Sequence, residues 1–314
     1  MEVSFSGLLL CLDWSPDGSF LAVGASDKRC LILDSTLDLV HETSPRGTSV
    51  QTVKWHPGGT FLAIGNREVA IIDGETFEIK YEISNVNHAG PTSKYRVLSL
   101  CWSPNGSYLA VGGSDGFCLV VETKGYTLVH EIRREVCISC LAWGQQIMPG
   151  GDFRRYLGVG DDSCNVALLK AGTETDRSVA ESDDLSSAAS SSYFSSGSDW
   201  VLREDSFRDM DGQGLELPKG FKPQGNITCV AFSRACKSKV SSYLAYSADD
   251  CSLTILTTRD WKPVFVSLDG RKAAVEAIFF SLSHHELSST ANGIRETNPG
   301  SHVFKLQQSP CTRR

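Results

Sequence analysis

The chain has 314 residues, 41% of them hydrophobic and 21% charged, with a formal net charge of −7. That acidic balance argues against a nucleic-acid binder, which needs a basic face to neutralise phosphates. No apolar run approaches the roughly 18–20 residues of a membrane span, and the apolar start at 8–12 follows Glu2 instead of a basic segment, a poor signal peptide.

Eleven cysteines is an odd number, and Cys11, Cys101, Cys118 and Cys229 sit inside apolar, strand-like runs. Buried thiols in a reducing compartment fit this better than a disulfide framework. The expected location is intracellular, cytoplasmic or nuclear.

In chain order, residues 12–34 read LDWSPDGSFLAVGASDKRCLILD. A first strand ends at Trp14, and a Ser-Pro-Asp-Gly turn comes next, where proline cannot continue a ladder and glycine permits a left-handed step. A second strand, Phe-Leu-Ala-Val-Gly, and a third ending at Asp34 succeed it, and LDLVHET (37–43) supplies a fourth. Residues 53–73, VKWHPGGTFLAIGNREVAIID, repeat the unit with Trp55, and FEIKYEI (77–83) is its fourth strand.

Residues 100–122, LCWSPNGSYLAVGGSDGFCLVVE, repeat it again with Trp102, succeeded by YTLVHEI (126–132). Here Gly-Gly-Ser-Asp-Gly matches the G-x-S-x-G pattern of a hydrolase nucleophile elbow at Ser114. An elbow requires a helix after the serine. The run 117–121 is instead aromatic and β-branched, and Asp115-Gly116 signals a two-residue hairpin turn with φ > 0 at both central positions. The same slot holds Ser26, Asp162 and Asp249 in other units, so Ser114 reads as a turn residue bonding its own backbone.

Cys137-Ile138-Ser139-Cys140 spells CxxC without a second pair at zinc spacing, which leaves no metal or redox site. A fourth unit begins at Trp143 and resumes as RRYLGVGDDSCNVALL. From 178 to 198 nearly half the residues are serine, and from 174 to 211 acids outnumber bases ten to three. Such composition cannot offset its ordering entropy, and disorder is expected.

Two readings stand for SDWVLREDSFRDM (198–210). Residues 200–203, with Trp200, form the outer strand of the fourth unit, which is the favoured reading. Alternatively the segment is a docking motif or phosphorylation loop built on Ser196, Trp200, Ser206 and Phe207, since Thr173, Ser178, Ser196 and Ser206 each precede an acid by three. A fifth unit, 230–256, carries Phe232 in the aromatic slot, and AAVEAIFFSLS (273–283) starts a sixth. Beyond it only HVFKL (302–306) is a strand candidate, while the first residues, EVSFS (2–6), could close the last unit.

The aromatic anchors Trp14, Trp55, Trp102, Trp143 and Phe232 are spaced by 41, 47, 41 and 89 residues. A period of about 40–45 with several strands per unit is the mark of a propeller blade. The W-S-P-D/N-G turns (14–18, 102–106) and the L-A-V-G-x-S-D strand-turns (21–27, 109–115) resemble the WD-repeat β-propeller family over residues 3–170 and 225–280. The Trp-Asp pair of that family appears only as Leu33-Asp34, Ile72-Asp73 and Val121-Glu122, then as Leu169-Lys170 and Leu256-Thr257, and its Gly-His dipeptide is absent before every first strand.

The expected fold is therefore all-β: a propeller of four-stranded antiparallel blades, five legible and a sixth partial, forming an incomplete ring. Residues 1–172 hold blades one to four and 173–222 the Ser-rich insertion. Residues 223–283 hold blade five and the start of six, and 284–314 an irregular tail. The resemblance implies a non-enzymatic protein-interaction scaffold with protein partners; no cofactor or metal site is expected, the composition excludes nucleic acid and membrane as partners, and the partial sixth blade leaves an open edge through which self-association is expected. The alternative is a propeller enzyme, or the propeller part of a hydrolase, with a site in the central funnel.

Overall fold

The computed structural model describes residues 7–45, 47–83, 95–147, 153–163, 166–171, 205–206, 225–233, 243–250, 252–258, 262–267, 277–280 and 287–290. Among them there is no helix. The first sheet runs β1 (Leu9–Trp14), β2 (Phe20–Ala25), β3 (Cys30–Asp34) and β4 (Leu39–Glu42). The second is β5 (Thr52–Trp55), β6 (Phe61–Gly65), β7 (Val69–Asp73) and β8 (Ile79–Ile83). The third is β9 (Val97–Trp102), β10 (Tyr108–Gly113), β11 (Phe117–Glu122) and β12 (Thr127–Arg133).

The fourth sheet is β13 (Ile138–Ile147), β14 (Phe153–Asp161), β15 (Val166–Ala171) and β16 (Asp205–Ser206). The fifth is β17 (Ile227–Phe232), β18 (Tyr243–Ala248), β19 (Leu253–Thr257) and β20 (Pro263–Ser267). The sixth is a two-stranded sheet of β21 (Ala277–Phe280) and β22 (Leu287–Thr290). Every pairing is antiparallel and joins sequence neighbours, apart from the longer link to β16.

The first strands lie side by side, β1 on β5, β5 on β9, β9 on β13, β13 on β17 and β17 on β21. Sheets that are apolar on both faces need cover on both sides, and radial stacking supplies it. The cores accordingly lie between blades. Trp102, Leu109 and Val111 of blade three pack with Ala63, Val69 and Ile71 of blade two. On its other side, blade three sets Ala110 and Val120 against Ile138, Leu141 and Trp143 of blade four. The fold is a β-propeller, with five four-stranded sheets and one two-stranded sheet among the described residues.

In blade four β16, Asp205–Ser206, is set against Leu168 and Ala167, and residues 200–203, the expected outer strand, lie outside the described residues. One detail departs from expectation. The β10–β11 connection has three residues, not two, and only Gly116 (φ 84°) is left-handed. Asp115 stays on the ordinary side and accepts the Phe117 N–H at 3.2 Å, so a single left-handed residue reverses the chain.

Candidate interaction surfaces

The turn after each first strand is locally self-satisfied. Ser15 donates its hydroxyl to Asp17 Oδ1 (2.6 Å) and accepts the Phe20 N–H (2.9 Å). Ser103, Asn105 and Tyr108 repeat the arrangement. Hydroxyl donors around Asp17 hold its carboxyl down to about 2. In blade two His56 takes the serine's place: its Nδ1 accepts the Gly58 N–H at 3.0 Å and its Nε2 lies 3.2 Å from the Gly106 carbonyl of blade three.

The opposite turns hold Ser114. Its Oγ accepts the Arg96 N–H at 2.9 Å, as Ser26 Oγ accepts the Leu8 N–H at 2.9 Å. Each hydroxyl therefore ties its turn to the entry of its own blade's first strand, eighteen residues upstream, and not to the turn's own backbone as the sequence suggested. β11, a strand and not the helix of a nucleophile elbow, follows the Ser114 turn.

The aromatic anchors build the blade-to-blade seams. The indole N–H of Trp102 donates to the Lys54 carbonyl (2.9 Å), and that of Trp143 to the Cys101 carbonyl (3.0 Å). Trp55, Trp102, Trp143 and Phe232 are buried. A second device sits at the turn before the outer strand in blades one to three, where Leu37 (φ 66°), Phe77 (57°) and Tyr126 (51°) adopt left-handed backbone. Phe77 and Tyr126 thereby reach back over the preceding blade. Phe77 meets Phe20 edge-on at 5.2 Å, and Tyr126 approaches Phe61 and Tyr81 at 6.4 and 4.3 Å.

Polar clamps supplement the seams. Asp13 accepts both the Lys54 ammonium (3.0 Å) and the Trp55 N–H (2.8 Å). Arg134 places Nε and Nη2 on one oxygen of the fully buried Asp161, at 3.0 and 2.9 Å.

Blade one breaks the pattern. Trp14, expected to be buried, is 45% exposed, whereas Trp102 and Trp143 are at 3%. Leu12 is 60% exposed, while Leu100 and Leu141 in the same slot are buried. Leu37 is also exposed. The physical reason is shared: each of these side chains points where a preceding blade would stand. The cluster on that side, Leu21, Val23, Leu31 and Leu33, draws every member from blade one.

Nothing in the sequence marked Leu12 or Leu37. Aligning the segments 37–39, 77–79 and 126–128, which read LDL, FEI and YTL, would have shown an apolar residue recurring two positions before an outer-strand aliphatic. The outer strands expose further apolar side chains. Leu39, Ile79 and Leu128 pair with Leu33, Ile72 and Val121 at one register position and are all exposed, as is Tyr81.

Burial lifts the thiols out of the reactive range: Cys11 and Cys229 to about 11 and Cys118 to about 12. Cys137 donates to the Ser114 carbonyl at 3.2 Å, while Cys140 belongs to the seam with blade five. Among the described residues no three His, Cys, Asp or Glu side chains converge as metal ligands. No helix among the described residues is long and apolar enough to cross a membrane. Ser206 lies in β16, and Ser196, Trp200 and Phe207 fall outside the described residues.

Comparison with known proteins agrees with this geometry. Residues 81–146 match the WD40 domain family of anaphase-promoting complex subunit 4, and residues 4–34 match the WD domain, G-beta repeat. A chain in the crystal structure of a mitotic checkpoint complex superposes with a TM-score of 0.61 at 15% identity, over 92% of this chain and 73% of that one. A search of curated proteins returned no match. Aromatic side chains at the ends of successive first strands, Trp55, Trp102, Trp143 and Phe232, build the seams of a repeat β-propeller. The chain has the β-propeller fold, and two stretches of it match WD-repeat family models.

Proposed function

We propose that this propeller is a non-enzymatic scaffold that holds protein partners on its surface, with self-association through an open blade among its modes. One observation carries the reading: exposed apolar side chains recur at one register position on successive outer strands, Leu39, Ile79 and Leu128. Exposed apolar surface of this kind marks protein-binding sites. The outer strands also leave backbone edges free, to which an extended segment can add.

The likeness to a chain from a multiprotein assembly supports the same reading. The polar groups noted in the sequence, Ser114, Asp17 and Asp115, engage in turn bonds, which supports the scaffold reading over the enzymatic alternative. Seven free cysteines among the described residues suit an intracellular, cytoplasmic or nuclear setting.

The test is a photo-crosslinking amino acid placed at Tyr81 or Leu128 in cells, with products identified by mass spectrometry. Discrete adducts that disappear on Ile79→Lys, with the fold intact by circular dichroism, support the scaffold. No adduct at either position, together with ester or peptide hydrolysis by the purified chain, overturns it.

A further inference from the structure

The gaps between neighbouring outer strands repeat one arrangement. Antiparallel partners share a face of their sheet, so register fixes the side to which each residue belongs. Tyr81 pairs with Ile71, a member of the core shared with blade three, and lies on that side. Ile79 pairs with Ile72, a member of the core shared with blade one, and lies on the other. His41 pairs with Ile32, on the blade-two side of blade one. Leu128 pairs with Val121, which alternates with Phe117 and Leu119 on the face toward blade two.

Each gap therefore sets an aromatic ring of the earlier blade against an aliphatic side chain of the later one, together with a ring from the left-handed turn. Between blades one and two these are His41, Ile79 and Phe77, with the His41 and Phe77 rings 5.5 Å apart. Between blades two and three they are Tyr81, Leu128 and Tyr126, with the two tyrosine rings 4.3 Å apart. Ile79, Tyr81 and Leu128 are exposed, so both gaps are open at the rim. The Tyr126 hydroxyl is buried and has no hydrogen-bond partner among the described residues, a donor still lacking its acceptor.

Acids surround these gaps. The turns that feed the three outer strands, 34–38, 73–78 and 122–126, hold six acids and one lysine. Asp34 accepts the Thr36 hydroxyl and the Asp38 N–H, and Asp73 accepts the Thr76 and Glu75 N–H groups. Those bonds hold both carboxyls below the usual carboxylate range and keep them charged. Glu75 and Glu78 are exposed just before Ile79, and the Lys80 ammonium is drawn to Asp73 at 3.8 Å.

We propose that the gaps between the outer strands of blades one, two and three hold an extended segment of a partner protein that carries lysine or arginine among bulky apolar residues. This rests on the reading of the outer strands as a partner surface and names the chemistry that surface selects. An apolar gap alone accepts any bulky side chain, and charge decides between occupants. An acidic segment would meet the turn carboxylates, and a second copy of this chain would bring its own net charge of −7. A basic segment sets its apolar residues between the rings and its cationic heads over the turn acids, their methylene stems lying along the aromatic faces. Complementary potential of this kind speeds encounter and suppresses wrong partners.

The experiment is selection of displayed random peptides on the full chain, after which the enriched peptides are synthesised and titrated by fluorescence anisotropy. They are expected to combine basic with bulky apolar residues and to lose affinity as salt rises. Glu75→Lys with Glu78→Lys should weaken them about tenfold and flatten the salt dependence. Glu68→Lys with Glu135→Lys makes the same change of net charge at exposed positions, in the β6–β7 turn and after β12, at the opposite end of the blades. That pair should leave affinity within about twofold, because charges beyond a Debye length are screened. Leu128→Ser should weaken binding and keep the salt dependence.

Enrichment of acidic or purely apolar peptides, or of none, overturns the proposal. So does an equal loss in the two lysine pairs, full affinity in the Glu75 and Glu78 pair, or full affinity in Leu128→Ser. In each of those cases crosslinked adducts at Tyr81 or Leu128 would still uphold the scaffold reading.

Discussion

At the scale of single residues, two tryptophans in one sequence slot have different worth, because burial belongs to the neighbour and not to the slot. Trp102→Ala removes a seam indole bonded to Lys54 and should cost about 3–5 kcal/mol. Trp14→Ala at concentrations favouring the monomer should stay within about 0.5 kcal/mol. Urea denaturation of the pair measures the contrast. His56 makes a second prediction. Its Nδ1 accepts a backbone N–H, which fixes the neutral ring with Nε2–H donating to Gly106. Burial lowers its pKa, the Gly106 bond opposing, and burial likewise lowers that of His130. The unfolded ring titrates near about 6.5. As pH falls through that value the unfolded chain takes up the proton first, so stability is full above it and declines toward the depressed native pKa. His56→Gln should flatten this decline in denaturation curves measured on either side of neutrality. A slope left unchanged would assign the effect elsewhere. Ser114 shows where residue-level reading stops: its repeat position identified a turn, but its bond partner lies eighteen residues away, a distance at which no local pattern speaks.

At the scale of elements, the strands were legible because each blade announces itself twice, by an aromatic at a strand end and by a Pro or Gly turn just after it. The predicted segments 12–34, 53–73 and 100–122 coincide with the first three strands of blades one to three. Outer strands obey a weaker rule. Blade four takes Asp205–Ser206 as its fourth strand, since pairing there is set by the open edge of β15, and two residues carry too little alternation to be read. The long β13–β14 hairpin illustrates a constraint visible only in three dimensions. A Cβ on Gly144 would stand 2.4–2.6 Å from the Phe232 ring, so glycine is needed for blade five to seat its aromatic. Gly144→Ala should destabilise by about 1–3 kcal/mol through overpacking. Phe232→Leu in the same chain should recover part of that loss, so that the double-mutant cycle is non-additive. Additive effects would mean that the two side chains do not compete for the space.

For the whole molecule, an array in which each blade touches only its neighbours behaves as a nearly one-dimensional system, with stability summed from units and seams. Interior blades own two seams and the first blade one. Hydrogen–deuterium exchange should therefore be slowest in β9, β10 and β11 and fastest, among first strands, in β1. Uniform protection from β1 to β17 would contradict the seam picture. The candidate surface was only half legible at this scale: counting blades led to the expectation of an incomplete ring, but the exposed apolar strip lies at blade one, where the sequence pattern is most regular. Regularity reported the slot, and the missing cover belongs to another part of the array. That geometry also orders events on the ribosome. Each blade pairs sequence neighbours, so the first can fold once Glu42 has emerged, and about 250 residues separate it from the end of β22. At about 5–20 residues per second that interval is roughly 12 to 50 seconds. Throughout it, the leucines and tryptophan of β1 face solvent on the nascent chain, available to a chaperone while the later blades are still being made.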